Sequence, residues 1–302
     1  MLISLKNDLT TAVIDTSGAQ LLSLRDRNGK EYMWQREPRF WPRTSPVLFP
    51  AIGNSRGGKT IFDGQWYELS KHGFAKDMEF KEECRTESEM LLAIKDTEET
   101  RRCYPYEFGF SICFKLTGAG IWTEYQVENQ GPKTMYFCLG AHPGFNCPME
   151  EGESFEDYRL QFDHEEDCHA VVYDLEALEF DRRNPGYHLN GTSVLPLRYE
   201  LFDSDAIYFE GLKSKKVSLI HGSTGKGVQV SFEDFASVAF WTPMGKQAPF
   251  LCIEPWNGSA ICSDEDDEFA HKHDVQCLKA GEKKTYKLGI RILEERNQQG
   301  QN

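Results

Sequence analysis

Apolar and polar residues alternate with a period of two along most of this chain, and no reading of it can ignore that period. LISLK (2–6), TAVID (11–15), MLLAIKD (90–96) and FGFSICFKL (108–116) show it in the first half. IWTEYQVEN (121–129), YRLQF (158–162), KVSLI (216–220), VQVSF (228–232) and YKLGIRIL (286–293) continue it. Successive strand side chains point to opposite faces, so a period of two buries one face of a sheet, whereas an amphipathic helix needs a period near 3.6. The segments are rich in Val, Ile, Phe, Tyr and Thr, and turn residues separate them. IFDGQWYEL (61–69) sets Asp-Gly between two apolar arms, a hairpin signature, and VENQGPKTMYF (127–137) likewise reads as strand, turn and strand. Helical candidates are short and lie around Leu175–Phe180 and Asp264–His271. No Pro- or Ser-rich linker and no internal repeat divides the chain. The expectation is an all-β fold: one domain over residues 1–302, a large antiparallel β-sandwich with two broad sheets face to face.

Charge narrows the choice of partner. Lys and Arg number 34 against 48 Asp and Glu, a formal charge of −14. Such a surface repels nucleic acid and anionic lipid, because binding phosphate requires basic groups that displace counterions. A small molecule is expected instead. No apolar run is long enough to span a membrane, and MLISLKNDLTTAVID lacks the basic and apolar segments of a signal peptide. Nine cysteines, an odd number without a C-x-x-C pair, include several inside apolar runs such as SICFK and MYFCLG. They read as small buried hydrophobes in a reducing compartment, neither a disulfide framework nor a zinc site. The expected location is cytoplasmic, so the sequons at Asn190 and Asn257 would stay unmodified.

One stretch invites a different reading. Residues 53–60, GNSRGGKT, match the phosphate-loop pattern G-x-x-x-x-G-K-[ST]. Such a loop needs a helix behind it, whose N-terminal amides and dipole hold the phosphate. Behind this one lies the hairpin pattern TIFDGQWYELSKHGF, and no strand–helix alternation exists to supply a parallel sheet. The stretch reads as a Gly-rich polar loop that leads into a hairpin.

Three short segments carry the chemistry. KHGFAKD (71–77), LGAHPGFNCP (139–148) and FLCIEPWNG (250–258) each place an ionisable side chain, His72, His142 or Glu254, beside an apolar strand. Gly or Pro comes directly after and interrupts the ladder, at the kind of loop where functional groups collect. Either histidine alone also suits a hydrogen-bonded corner. Glu254 stands between Leu-Cys-Ile and Pro-Trp, where burial should raise its pKa and suit it to a general base, or else make it one member of a structural ion pair. The cluster HKH (271–273) lacks a third metal ligand nearby. Cys168 and His169 are strand neighbours that point apart, and no G-x-S-x-G elbow is present. Trp241 and Trp256 suit either sugar stacking or core packing.

Taken in order, these segments resemble the aldose 1-epimerase (galactose mutarotase-like) family, particularly its LacX-like branch. PVLFPAIGNSRGGKTIFDGQWYELSKHGFAKD (46–77), GAHPGFNCP (140–148), LFDSDAIYFEGLKSKKVSL (201–219), FWTPMGKQAPFLCIEPWNG (240–258) and LKAGEKKTYKLGIRI (278–292) carry the resemblance. It implies a large antiparallel β-sandwich and cofactor-free interconversion of the α and β anomers of a free aldohexose, with no metal and with the chain a monomer or homodimer. By motif, Glu254 would be the base toward the C1 hydroxyl and His142 the acid toward the ring oxygen, on opposite sides of the sugar. His72 would hydrogen-bond near the ring oxygen, and Asp205 would accept from sugar hydroxyls. The family commonly has Arg where Asn54 stands, so Asn54 or Arg56 would contact the sugar. It usually has Arg where Lys76 stands, which replaces a planar fork with a point charge. Two alternatives stay open. A hexose 6-phosphate would need a basic pocket, with Arg56, Lys59 and Lys76 as candidates, and a non-catalytic sugar-binding protein would need no acid and base.

Overall fold

The structure, a computed structural model, describes residues 1–295, and within them the period of two becomes strand. In Phe108–Leu116 every second residue, from Phe108 to Leu116, is buried, and the residues between face outward. Leu2–Lys6, Thr10–Asp15 and Glu89–Lys95 repeat the pattern. Asp63 and Gly64 turn the hairpin between Lys59–Phe62 and Gln65–Glu68, both with positive φ (50° and 74°), as a tight two-residue turn requires. Among the described residues no helix is long and apolar enough to cross a membrane.

Among the described residues, fifteen strands are hydrogen-bonded into one sheet with antiparallel pairings. Its path begins at Val47–Leu48, crosses Leu139–Ala141, Phe250–Asn257 and Ser237–Trp241, and ends at Glu89–Lys95 and Lys81–Arg85. A twisted sheet of this width curls rather than staying flat. Here its two ends meet face to face. Phe49, beside the first strand, stacks on Phe110 of the Phe108–Leu116 strand at 4.6 Å. Phe108 and Phe137 close on the same ring at 5.2 and 5.9 Å. The two layers expected of a sandwich are thus stretches of one continuous ladder.

Three local expectations need correction. Met135–Phe137 does not pair back on Gly120–Asn129, because Phe108–Leu116 and Lys283–Leu293 already occupy both edges of that strand. It pairs with Gln276–Leu278 instead. Leu175–Leu178 is a turn joining the long strands Tyr158–Asp174 and Glu179–Pro196, where the Asp174 carboxylate accepts from the amides of Glu176 and Ala177. The Asp264–His271 segment contributes only a single 3₁₀ turn, Phe269–His271.

Candidate active site

The strand Phe250–Asn257 is buried along its whole length. Alternation puts Cys252, Glu254 and Trp256 on one face, and Trp241, opposite Cys252 on the next strand, shares that face. On its other side, Gly140 pairs with Trp256 and Gly144 with Cys252. The residues between them break the ladder opposite Glu254. Pro143 has no N–H to donate, though its carbonyl still accepts from the Ile253 amide at 3.1 Å. The register therefore sets His142 across from Glu254, and the two side chains meet, Nε2 to Oε2, at 3.2 Å.

Both side chains are buried, 9% and 3% exposed. Burial, and then the charge of Asp205, pushes the Glu254 carboxyl well above its ordinary value. Burial lowers the His142 imidazole to about 3. Burial thus works against the ion pair and favours a shared proton on the carboxyl over the imidazole. Trp256 Nε1–H is near enough to favour the carboxylate, yet its geometry falls short of a hydrogen bond and it is buried without a partner among the described residues. Trp41 stacks on the His142 ring at 4.8 Å and Trp241 meets it edge-on at 5.5 Å, while His142 Nδ1 has no partner among the described residues. Aromatic contact, not a hydrogen bond to Nδ1, holds this imidazole in place.

His72 enters from the 71–77 loop with φ +63°, an uncommon backbone for a side chain with a Cβ. Its amide donates to the Gly53 carbonyl at 2.9 Å, and the Gly53 amide donates to His72 Nδ1 at 3.0 Å. That bond leaves the hydrogen on Nε2. Burial and the neighbouring His142 keep the ring's pKa well below the usual value, so His72 is a neutral donor. Gly53 itself has φ +61°, and a Cβ there would lie 2.2 Å from the Ala260 Cβ. Asp205, at φ +69°, accepts from Trp241 Nε1 at 2.8 Å, so one indole joins this carboxylate to the His142 ring.

These groups line a pocket of about 330 Å³ with Trp41, Tyr173 and Trp256 in its wall. That volume falls at the lower end of the ~300–1,000 Å³ range of small-molecule sites. Of the residues singled out in the sequence, His142, Glu254, His72, Asp205, Asn54 and Lys76 line it. Lys76 is committed to its own loop, its ammonium donating to the Gly73 carbonyl at 2.6 Å and to Asp77 at 2.7 Å. Arg56 does not line the pocket. It pairs with Asp267 at 2.7 Å and Glu179 at 3.1 Å, two acids brought in from distant segments. Lys59 is also elsewhere, across its hairpin from Glu68. Two cations that the motifs did not flag do line it: Lys71, and Arg43 from the loop before the first sheet strand, which pairs with Asp77 at 2.6 Å. His271 and His273 pair with separate acids, Asp266 and Asp264, around a buried Lys272.

Comparison with known proteins agrees with this architecture. Residues 1–291 match the aldose 1-epimerase family. Protein LacX of Lactococcus lactis subsp. lactis, in its plasmid and chromosomal forms, is 37% identical over 281 residues, which cover 91% of this chain and 94% of LacX. The crystal structure of a galactose mutarotase related enzyme from Lactobacillus acidophilus superposes with a TM-score of 0.92 at 30% identity, covering 98% of this chain and 99% of the other. A galactose mutarotase-like protein from Lactobacillus casei gives 0.89 at 27% identity, covering 97% and 100%. A whole-chain family match, a relative above one-third identity and a shared sheet all converge, and this chain belongs to the aldose 1-epimerase family.

Proposed function

We propose that the chain is a mutarotase that interconverts the α and β anomers of a free aldohexose without a cofactor. The observation that carries this reading is the buried His142–Glu254 pair, 3.2 Å apart, opening onto a pocket of about 330 Å³ with aromatic walls. Because His142 and Glu254 are in contact, the proposed acid and base would reach the sugar from one side and not from opposite sides. That suits the reaction, since the C1 hydroxyl oxygen and the ring oxygen are bonded to the same carbon.

The proton count closes within the pair. With the shared proton on His142 Nε2, Glu254 takes the C1 hydroxyl proton while His142 gives its own to the ring oxygen. The bond from C1 to the ring oxygen breaks and C1 becomes the aldehyde carbon. Opening thus leaves a protonated Glu254 and a neutral His142, the forms that burial favours. After rotation about C1–C2, the roles reverse and the ring closes on the other face. Before opening, the proton must move from the carboxyl to the imidazole. Lys71 and the Trp256 N–H both favour the carboxylate and assist that transfer. The neutral Nε2–H of His72 and the carboxylate of Asp205 then orient the sugar as donor and acceptor, with Asn54 beside them.

A second reading, a hexose 6-phosphate substrate, is favoured by one observation. Arg43, Lys71 and Lys76 line the pocket of a chain whose net charge is −14. Lys71 and Arg43 take the place of Arg56 and Lys59 as candidates for a phosphate, Lys76 being held within its own loop. Polarimetry of freshly dissolved α-D-galactose and α-D-glucose, and coupled assays of the 6-phosphates, test both readings. Faster approach to an unchanged endpoint supports mutarotation and ranks the sugars. Sugar binding without acceleration of any of them would overturn the proposal in favour of a binding protein.

A further inference from the structure

Cys252 has no part in the chemistry above, yet it shares a strand face with Glu254 two residues away. A ring nitrogen of His142, Sγ of Cys252 and a carboxylate oxygen of Glu254 all lie within 4.8 Å of one another. The three residues are buried, at 7%, 0% and 2% exposure. Zinc bonds of about 2.0–2.3 Å to nitrogen, oxygen and sulfur place two ligand atoms of one tetrahedral ion about 3.3–3.8 Å apart. The His142–Glu254 contact at 3.2 Å is close to that spacing, and from a separation of up to 4.8 Å the thiol would shift by about an ångström. Gly144 stands opposite Cys252, where a Cβ would lie 3.3 Å from Sγ, so the residue that could crowd this shift has no side chain.

A second observation bears on His142 itself. Its Nδ1 is buried and has no partner among the described residues, so no hydrogen bond fixes the tautomer. The ring can place its hydrogen on Nδ1 and offer the Nε2 lone pair toward Glu254 without breaking a hydrogen bond. His142 and Glu254 both line the pocket, which leaves the fourth coordination position open to water or a sugar hydroxyl. Three protein ligands with one open position make an exchangeable site, not a closed structural one. The imidazole, thiolate and carboxylate set suits Zn²⁺ and its borderline relatives, whereas Mg²⁺ and Ca²⁺ prefer oxygen alone.

We propose that His142, Cys252 and Glu254 form a binding site for a borderline divalent cation such as Zn²⁺, which occupies the acid and the base together and so reversibly blocks the pocket. The ion acts as an inhibitor, not a cofactor. Its binding is independent of the mutarotase reading, and only the loss of activity rests on it. Cys252 gives up its thiol proton and Glu254 its carboxyl proton as the metal enters, so binding releases protons to solvent.

Cobalt(II), added to the chelator-treated protein, serves as the spectroscopic stand-in for zinc. Wild type should show a thiolate-to-cobalt charge-transfer band that Zn²⁺ bleaches and Mg²⁺ does not, and Cys252→Ala should lose it. In mutarotation assays Zn²⁺ should inhibit wild type, and a chelator should reverse the inhibition. Loss of even an outer-shell partner costs 10–100-fold in affinity, so Cys252→Ala should need at least about tenfold more Zn²⁺ while keeping its basal rate. Cys252→Ser, closer in size, serves the same comparison if the alanine variant fails to fold. Absence of the band in folded wild type, or its persistence in the substituted protein, overturns the proposal. A band without mutarotation of any sugar supports the metal site and refutes the enzyme reading; mutarotation without the band does the reverse.

Discussion

Replacing Glu254 with Gln isolates the proposed base. The amide is nearly isosteric, can still meet His142 across the 3.2 Å contact, and leaves the wall of the pocket unchanged. It cannot accept the C1 hydroxyl proton. Positioned acid–base catalysis is worth about 10²–10⁴-fold, so the variant should lose about 2.7–5.4 kcal/mol of transition-state stabilisation. Polarimetry reads the loss as a fall in kcat/KM, while KM for the sugar changes little because the hydroxyl contacts proposed for His72 and Asp205 do not depend on the Glu254 carboxylate. The same substitution has a signature in stability. Glu254 has a pKa raised above its unfolded value of 4.5, so its contribution to stability is present below that value and is lost as pH rises through the folded pKa. The amide does not titrate. The variant's melting temperature should therefore gain on wild type as the pH is raised from about 5 to about 8, across the interval above the ordinary carboxyl pKa. A variant that keeps wild-type mutarotation refutes Glu254 as the base. A stability difference that does not change with pH refutes the raised pKa.

Other substitutions test separate parts of the site. Arg56→Ala should leave kcat/KM unchanged and cost under about 1 kcal/mol of stability, because its pairs with Asp267 and Glu179 are partly exposed and lie outside the pocket; a large fall in activity would restore it as a sugar ligand. Lys71→Ala should raise KM for a hexose 6-phosphate far more than for the free hexose, and equal effects on both would remove the phosphate reading. Lys272→Ala strands the buried Glu265 carboxylate, whose ion pair spans 3.0 Å, and should cost about 3–5 kcal/mol in denaturant unfolding. Replacing Glu265 with Gln in the same protein should recover much of that loss.

How far the sequence could be read depended on whether the deciding contact was local. Alternation located the strands because each residue's face follows from its immediate neighbours, as in Phe108–Leu116. Cys252 and Glu254, two residues apart, share a face by the same rule, but nothing in the sequence joined them to a common role, because the joint site proposed for them depends on His142 in a distant segment. His142 and Glu254 were each legible as an ionisable group at a break in a strand. Their contact was not, because it arises from Gly140 pairing with Trp256 and Gly144 with Cys252 across a fold-back of the chain. The arginines show how local proximity misleads. Arg56 stands beside the Gly-rich loop in sequence, but Glu179 and Asp267, from distant segments, draw its guanidinium outside the pocket. Arg43 reaches the pocket from a proline-flanked loop with no periodicity to mark it. GNSRGGKT makes the same point. Its only helical element is the three-residue 3₁₀ turn Arg56–Gly58, too short to supply the amides and dipole that hold a phosphate. The amide of Gly53 is spent instead on His72 Nδ1, where one hydrogen bond sets which imidazole nitrogen carries the hydrogen in the pocket. A glycine pattern is thus informative about backbone freedom, but the chemistry it serves is set by whichever side chain the fold brings to its N–H.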